Sequence, residues 1–162
     1  KATALRDAGV REDLARRVER AGLDAARVEV MPPTPTRGAH LALYAHVDVA
    51  LDAFPYHGTT TTCEALHMGV PVITRAGASH VSRVGVSLLH AAGLSELVAD
   101  SDDHYVELAR GLATDPARMA RIRSTLGNGL VGSVLCDADA HTRRLETLLR
   151  GIFRDACAAS TP

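Results

Sequence analysis

The sequence lacks the features that mark several large classes of protein. With 18 basic and 19 acidic residues, its formal net charge of −1 offers no excess of positive charge for nucleic acid or for an anionic membrane. No apolar run approaches the roughly 18 residues of a membrane span, and no signal peptide, repeat or low-complexity tract is visible. We therefore expect neither nucleic acid nor a membrane as a partner.

Cysteine is scarce as well. Cys63, Cys136 and Cys157 are an odd number and show no metal-ligand spacing, so they predict reduced thiols, a cytoplasmic location and no metal site. Lys1 stands where a natural chain has its initiator Met, and we therefore expect a fragment or processed piece of a longer protein. The 162 residues have room for a single domain with its own core.

The most informative stretch runs from Asp48 to Thr74, with the sequence DVALDAFPYHGTTTTCEALHMGVPVIT. The apolar residues 47–51 and 70–74 predict two buried strands, and residues 63–68 predict a short amphipathic helix between them. A turn ending at Gly58 and four consecutive threonines precede that helix. This order of strand, glycine loop, helix and strand predicts a βαβ unit.

The start of that helix predicts an anion site. A helix N-terminus leaves backbone N–H groups unpaired and carries about half a positive charge. The threonine hydroxyls can turn with these groups toward a phosphate, and Gly58 lets the backbone come close to a ligand. Glu64, one turn later, is placed to accept bonds from a ribose diol. The alternative is structural, with threonines that cap the helix and Glu64 in a capping box with Thr61.

Outside this unit, strands and helices are predicted to alternate and then to give way to helices alone. Pro32, Pro33 and Pro35 predict an irregular loop. The whole predicts an α/β, doubly wound parallel-sheet, Rossmann-like domain over residues 1–162, with residues 102–159 as a helical tail. The patterns predict helices at residues 11–21, 38–45, 81–92, 102–114, 116–130 and 138–157, and strands at residues 28–31 and 97–98.

Three polar loops are expected at one edge of the sheet, at residues 32–40, 57–62 and 75–83, and their convergence favours a binding site there. Asp48 and Asp52 flank the first central strand. They are candidates for an acid/base pair or for loop anchors that accept backbone N–H bonds, and we favour the anchors. We interpret His57 as a turn residue or a ligand contact, and Cys63 as a core residue.

The central motif LDAFPYHGTTTTCEALHMGVP, with HLALY before it and SRVGVSLL after it, resembles the C-terminal catalytic region of protein O-GlcNAc transferases and their Spindly-type relatives. The resemblance covers residues 14–153. It implies a glycosyltransferase of two Rossmann domains, with this chain as most of the half that binds the nucleotide sugar. It also implies tetratricopeptide repeats upstream and a protein acceptor held by N-terminal regions outside this chain.

The resemblance implies a set of donor-binding residues. His40 matches a histidine that packs near the nucleotide base, and Arg37 stands where relatives place a basic residue. Thr60 and Thr61 match the pair that contacts the diphosphate, and Glu64 matches an acidic residue on the ribose. The implied donor-binding residues are Arg37, His40, Gly58, Thr59, Thr60, Thr61 and Glu64.

The implied reaction is an inverting transfer of GlcNAc from UDP-GlcNAc to Ser or Thr hydroxyls of proteins. The helix start would hold the diphosphate leaving group without a metal or another cofactor. No catalytic residue is expected in this chain, because the general base and the acceptor groove belong to the other half. The alternatives are protein O-fucosyl transfer from GDP-fucose, a non-catalytic nucleotide-binding or interaction module, and an epimerase-like enzyme.

Overall fold

A computed structural model of the chain describes residues 3–31 and 33–159, which form two compact units, one ending at Leu43 and the other beginning at Tyr44. Short 3-10 turns connect several of the elements. The helices are α1 (Ala8–Arg20), α2 (Arg37–Ala42), α3 (Thr60–His67), α4 (Val84–Ala91), α5 (Asp102–Thr114), α6 (Pro116–Gly129) and α7 (Ala138–Ala159). The strands are β1 (Ala50–Leu51), β2 (Val72–Arg75) and β3 (Val98–Ala99).

The first unit is helical and exposes most of its residues. Asp7 caps α1 by accepting a hydrogen bond from the Val10 N–H at 3.1 Å. Gly22 follows the end of α1 with a φ of +79°, a conformation that glycine adopts without steric cost. None of the described residues from 4 to 43 is buried, so the core of the chain lies elsewhere.

The prediction of a strand at residues 28–31 is wrong. These residues belong to no described sheet, and Val28 and Met31 are exposed. A strand forms only where a neighbour pairs its backbone groups, and a local apolar pattern does not supply that neighbour. The proline-rich segment is irregular at residues 33–36, as predicted, and Pro32 lies outside the described residues.

The second unit contains a parallel three-stranded sheet in the order β1-β2-β3. Ala50 lies opposite Val72, and Thr74 lies opposite Val98. The predicted βαβ unit and the α/β fold class are thus confirmed. β1 begins at Ala50, three residues later than predicted, and ends at Leu51 as predicted. The next N–H, that of Asp52, still bonds the Ile73 carbonyl at 3.0 Å.

The core of the second unit lies between the sheet and four of its helices. Its largest fully buried apolar side chains are Leu66, Ile73, Leu89, Leu94, Leu97, Leu112, Ile122 and Val72. The C-terminal part is helical, as predicted, but α7 has no buried residue and its leucines are exposed. In the part of the chain that the structure describes, no helix has the length and apolarity to cross a membrane.

The same substitution should therefore have very different costs in two helices. Leu89→Ala in α4 removes a side chain with no exposed surface and should lower the free energy of unfolding by about 2–5 kcal/mol. Leu148→Ala in α7 changes a side chain that is 60% exposed and should cost less than about 0.5 kcal/mol. Urea denaturation followed by circular dichroism measures both variants, and equal losses would contradict this account of the core.

Candidate functional site

Two loops meet at one edge of the sheet because β1 and β2 are parallel and end there. One loop connects β1 to α3, and the other follows β2 and leads to α4. The backbone N–H of His57 in the first loop donates to the carbonyl of Val81 in the second at 3.0 Å. Two of the three predicted loops are therefore joined directly, whereas the loop before α2 belongs to the first unit.

An open depression of roughly 550 Å³ lies at this edge, formed by the first loop and the start of α3. Its volume is within the range of about 300–1,000 Å³ that is typical of sites for small ligands. It is lined by Leu51, Asp52, Ala53, Tyr56, His57, Gly58, Thr59, Thr60 and Thr61. None of these residues is a lysine or an arginine, so hydroxyl and backbone N–H groups are the donors that this surface offers.

The four threonines have different environments. Thr62 is buried and its hydroxyl donates to the Gly58 carbonyl at 2.9 Å, which is a structural role. Thr59, Thr60 and Thr61 are exposed and line the depression. Thr59 is the N-cap of α3, yet its side chain accepts no hydrogen bond from the first N–H groups of the helix.

The alternative prediction, a capping box formed by Thr61 and Glu64, does not match the start of α3. A capping box is headed by the residue at the N-cap, and Thr61 is instead the second residue inside α3. Thr61 and Glu64 therefore cannot form the box that their spacing allowed. Exposed hydroxyls on an uncapped helix start leave this end of α3 able to accept an anion.

Gly58 lies where no side chain fits. A Cβ at this position would collide with the Thr61 hydroxyl and would lie 2.9 Å from the Thr62 hydroxyl. The N–H of Gly58 donates to Oδ1 of Asp52 at 2.8 Å. The sequence suggested a glycine here for the approach of a ligand, and the structure adds a second reason, the close packing of the loop on its own helix.

Asp52 is a loop anchor, as predicted. Its side chain is only 4% exposed, and besides the Gly58 N–H it accepts the Thr74 hydroxyl at 2.8 Å. The Tyr105 hydroxyl donates to its backbone carbonyl at 2.9 Å. Burial first, and the nearby Asp52 carboxylate second, raise the pKa of Tyr105, which keeps that hydroxyl protonated as a donor.

Asp48 does not share this role. Its side chain is 85% exposed and pairs with the guanidinium of Arg123 at 2.9 Å, so the prediction of a loop anchor is wrong here. The two aspartates flank the same short strand but have opposite environments, because Asp52 turns into the sheet edge and Asp48 points to solvent. The prediction that both aspartates are loop anchors is therefore confirmed for Asp52 only.

His57 is neither a simple turn residue nor an exposed group. It is buried, and its Nδ1 accepts the Gly85 N–H at 3.0 Å. Because an amide N–H can only donate, Nδ1 is the acceptor of this bond, and in a neutral ring the proton lies on Nε2. Gly85 is required for this contact, since a Cβ there would collide with the Asp52 carboxylate and lie 2.6 Å from the Thr74 hydroxyl.

A second contact holds the tip of the loop. The guanidinium of Arg75, at the end of β2, lies 4.1 Å above the ring of Phe54 and pairs with Asp102 at 2.8 Å. The sequence showed no sign of this arrangement, because its three residues are far apart along the chain. The loop is thus attached to β2 at its tip as well as at Asp52.

The acidic residue expected at the ribose lies one turn beyond the threonines. Glu64 is half-buried, and the Tyr44 hydroxyl next to it donates to the Thr61 carbonyl at 3.2 Å. Burial first, and then the charge of Glu64, raise the pKa of Tyr44. Gly58 and the exposed threonines thus line one depression, and Glu64 lies one helical turn beyond Thr60 and Thr61.

The other two predicted donor-binding residues belong to the first unit. Arg37 is the first residue of α2 and is exposed, and His40 lies one turn later and is half-buried. Thr36 caps this helix by accepting the Ala39 N–H at 3.1 Å. The roles of Arg37 near the nucleotide and of His40 near its base stay predictions.

Cys63 is exposed, so its interpretation as a core residue is wrong. The helix turns its Thr62 and Ala65 neighbours inward and Cys63 outward. Partial burial of the thiol, then Cys136 and Glu64, raise the pKa of Cys63 despite the position at a helix start. At neutral pH this residue is a thiol and not a thiolate nucleophile.

Sequence reasoning missed Thr74 and Gly85. Thr74 is fully buried in β2, directly after two apolar residues, and a buried polar residue needs a partner. That was the available signal, although it could not name Asp52 as the partner. Gly85 lies inside a helix, where a glycine is unfavourable by about 1 kcal/mol relative to alanine and so indicates a packing constraint.

Comparison with known proteins gives a consistent result. The model of the family described as glycosyl transferase family 41 matches residues 5–145. A probable UDP-N-acetylglucosamine–peptide N-acetylglucosaminyltransferase SPINDLY of Hordeum vulgare is 40% identical over 153 residues, which are 94% of this chain and 16% of that protein. A UDP-N-acetylglucosamine–peptide N-acetylglucosaminyltransferase of Caenorhabditis elegans is 35% identical over 85% of this chain and 12% of its own length.

A solved structure agrees with these relatives. A mutant O-GlcNAc transferase of Thermobaculum terrenum superposes with a TM-score of 0.91 at 41% identity, covering 99% of this chain and 31% of that one. The chain therefore spans less than a third of the proteins that it matches here. The fold of the matched part is shared along almost all of its length.

The raised pKa of Cys63 predicts slow alkylation at neutral pH. Because the thiolate is the nucleophile, its reaction with iodoacetamide should rise with pH and reach its midpoint above the ordinary thiol value of about 8.5. Mass spectrometry of the peptide that contains Cys63, between pH 7 and pH 10.5, measures this midpoint. A midpoint below 8 would show an activated thiol and contradict the assignment.

Proposed function

Because the chain belongs to glycosyl transferase family 41, we propose that it binds the nucleotide-sugar donor of an inverting protein glycosyltransferase. In this proposal the donor is UDP-GlcNAc, and the acceptors are Ser and Thr hydroxyls of proteins. The observation that supports it most is the uncapped start of α3, whose exposed threonines line the depression at the sheet edge. We assign no catalytic group to this chain.

The nucleotide diphosphate is the leaving group of such a reaction, and its developing charge has to be stabilised. The N–H groups at the start of α3 and the hydroxyls of Thr60 and Thr61 are donors held in place before the ligand arrives. The dipole of α3 adds favourable potential at the same point. This arrangement supports a proposal of diphosphate binding without a metal ion or another cofactor.

A further donor contact in this proposal follows along α3. Glu64, one turn beyond the diphosphate position, would accept bonds from the ribose hydroxyls, and the Tyr44 hydroxyl near it donates to the Thr61 carbonyl. Arg37 is proposed near the nucleotide and His40 near its base on the strength of the resemblance alone. The protein acceptor would bind to regions of a longer protein, and the three exposed free cysteines fit the expected cytoplasmic location.

Protein O-fucosyl transfer from GDP-fucose is the second candidate. It rests on the resemblance, in which the sequence TTTTCE at the start of α3 is nearer to Spindly-type and many bacterial sequences. The plant SPINDLY relatives at about 40% identity are themselves named for UDP-N-acetylglucosamine. The depression itself offers no preference, because the threonines would contact the diphosphate that both donors share. The base is therefore the part of the ligand that distinguishes the two candidates.

Replacing the two central threonines should weaken nucleotide binding without unfolding the chain. Thr60→Val with Thr61→Val removes two exposed donors, each bond to a charged group being worth about 1.5–3 kcal/mol, so the Kd should rise at least about tenfold. Calorimetric titration with UDP and with GDP, each with and without magnesium, measures the effect, and the tighter nucleotide selects the donor. Equal affinity with and without magnesium is expected.

A matched control comes from α7. Thr142→Val with Thr147→Val removes two exposed helical hydroxyls that bond only to carbonyls of their own helix, so it should leave the Kd unchanged. An unchanged Kd in the Thr60 and Thr61 variant would overturn the assignment of the site. The absence of any nucleotide binding in the unaltered chain would favour a non-catalytic interaction module.

A further inference from the structure

Gly58 is held from both sides just before α3 begins. Its N–H donates to Oδ1 of Asp52 at 2.8 Å, and its carbonyl accepts the Thr62 hydroxyl at 2.9 Å. With the two peptide planes around Gly58 fixed in this way, the direction in which the chain enters α3 is fixed as well. The exposed N–H groups and hydroxyls that follow take their orientation from this point.

Asp52 is itself immobilised by several groups of the second unit. Its backbone N–H donates to the Ile73 carbonyl at 3.0 Å, and its backbone carbonyl accepts the Tyr105 hydroxyl at 2.9 Å. Its second carboxylate oxygen accepts the Thr74 hydroxyl at 2.8 Å. A carboxylate that is almost fully buried depends on such donors, because an unsatisfied buried charge is strongly unfavourable.

The Thr74 hydroxyl holds the Asp52 carboxylate in place. It has one proton, which it gives to Asp52, and its oxygen also lies 3.3 Å from Nδ1 of His57. Thr74 is fully buried and is not among the residues that line the depression. Any influence of Thr74 on a ligand must therefore pass through the residues that its hydroxyl contacts, Asp52 and His57, which both line the depression.

We propose that Asp52, held by the Thr74 hydroxyl, is a positioning residue that sets the phosphate-binding geometry at the start of α3. This inference rests on the proposed nucleotide site and adds the residues that keep it in its binding conformation. Neither Asp52 nor Thr74 needs to touch the diphosphate. The carboxylate acts by orienting the Gly58 peptide, and the hydroxyl acts by orienting the carboxylate.

The test compares two variants of one buried residue. Thr74→Val keeps the shape and removes the hydroxyl, whereas Thr74→Ser keeps the hydroxyl and removes a methyl group. We expect Thr74→Val to raise the Kd for UDP or GDP, whichever binds the unaltered chain, by about tenfold. We expect the Kd of Thr74→Ser to stay within about threefold of the Kd of the unaltered chain. Both variants should lower the Tm.

A core variant separates positioning from a general loss of stability. Ile122→Ala in α6 opens a cavity at a fully buried site that has no bond to the loop, so it should lower the Tm and leave the Kd unchanged. Each titration is made at a temperature where circular dichroism shows the variant to be folded. Should Thr74→Val fail to fold, Thr62→Val against Thr62→Ser tests the other bond to Gly58 in the same way.

The outcomes distinguish this inference from the proposed function. If the Thr60 and Thr61 variant loses affinity while Thr74→Val and Thr62→Val bind as tightly as the unaltered chain, the site stands and the positioning role is overturned. The positioning role is also overturned if Thr74→Ser or Ile122→Ala loses as much nucleotide affinity as Thr74→Val, since the loss would then follow from lower stability. If the unaltered chain binds neither nucleotide, both proposals fall together.

Discussion

The arrangement at the sheet edge depends on one buried carboxylate. Asp52 directly follows β1. Its carboxylate accepts one hydrogen bond from the Gly58 N–H in the loop and one from the Thr74 hydroxyl in the neighbouring strand. A strand end, a loop and a helix start are thus connected through a single side chain. Because that side chain is almost fully buried, the bonds are protected from water and each missing donor would be costly.

This constraint explains why the same short segment contains both structural and exposed polar groups. Thr62 turns inward to the Gly58 carbonyl, so the three threonines before it are free to face the depression. The site therefore offers neutral donors on a rigid framework instead of positive side chains. Such donors would suit the diphosphate of the proposed function, since they need no rearrangement when charge develops on it.

The sequence predicted the parts of this structure that depend on local patterns. The helix at residues 102–114, the order of the βαβ unit and the anchoring role of Asp52 all agree with the structure. It was wrong about the strand at residues 28–31 and about Cys63, because pairing and burial depend on distant neighbours that a local pattern does not contain. The contacts of Thr74 and Gly85 were missed for the same reason, as both reach Asp52 or His57 across more than 20 residues of chain.

The most direct measurement is a nuclear magnetic resonance titration that follows the backbone amides of the labelled chain as UDP or GDP is added. The account predicts that the largest shifts fall on the amides from Gly58 to Thr61, because these N–H groups would point at the diphosphate. Smaller shifts are expected at Asp52 and Gly85, which support the loop without contacting the ligand. Binding that leaves the amides from Gly58 to Thr61 unshifted would place the nucleotide elsewhere and contradict the account.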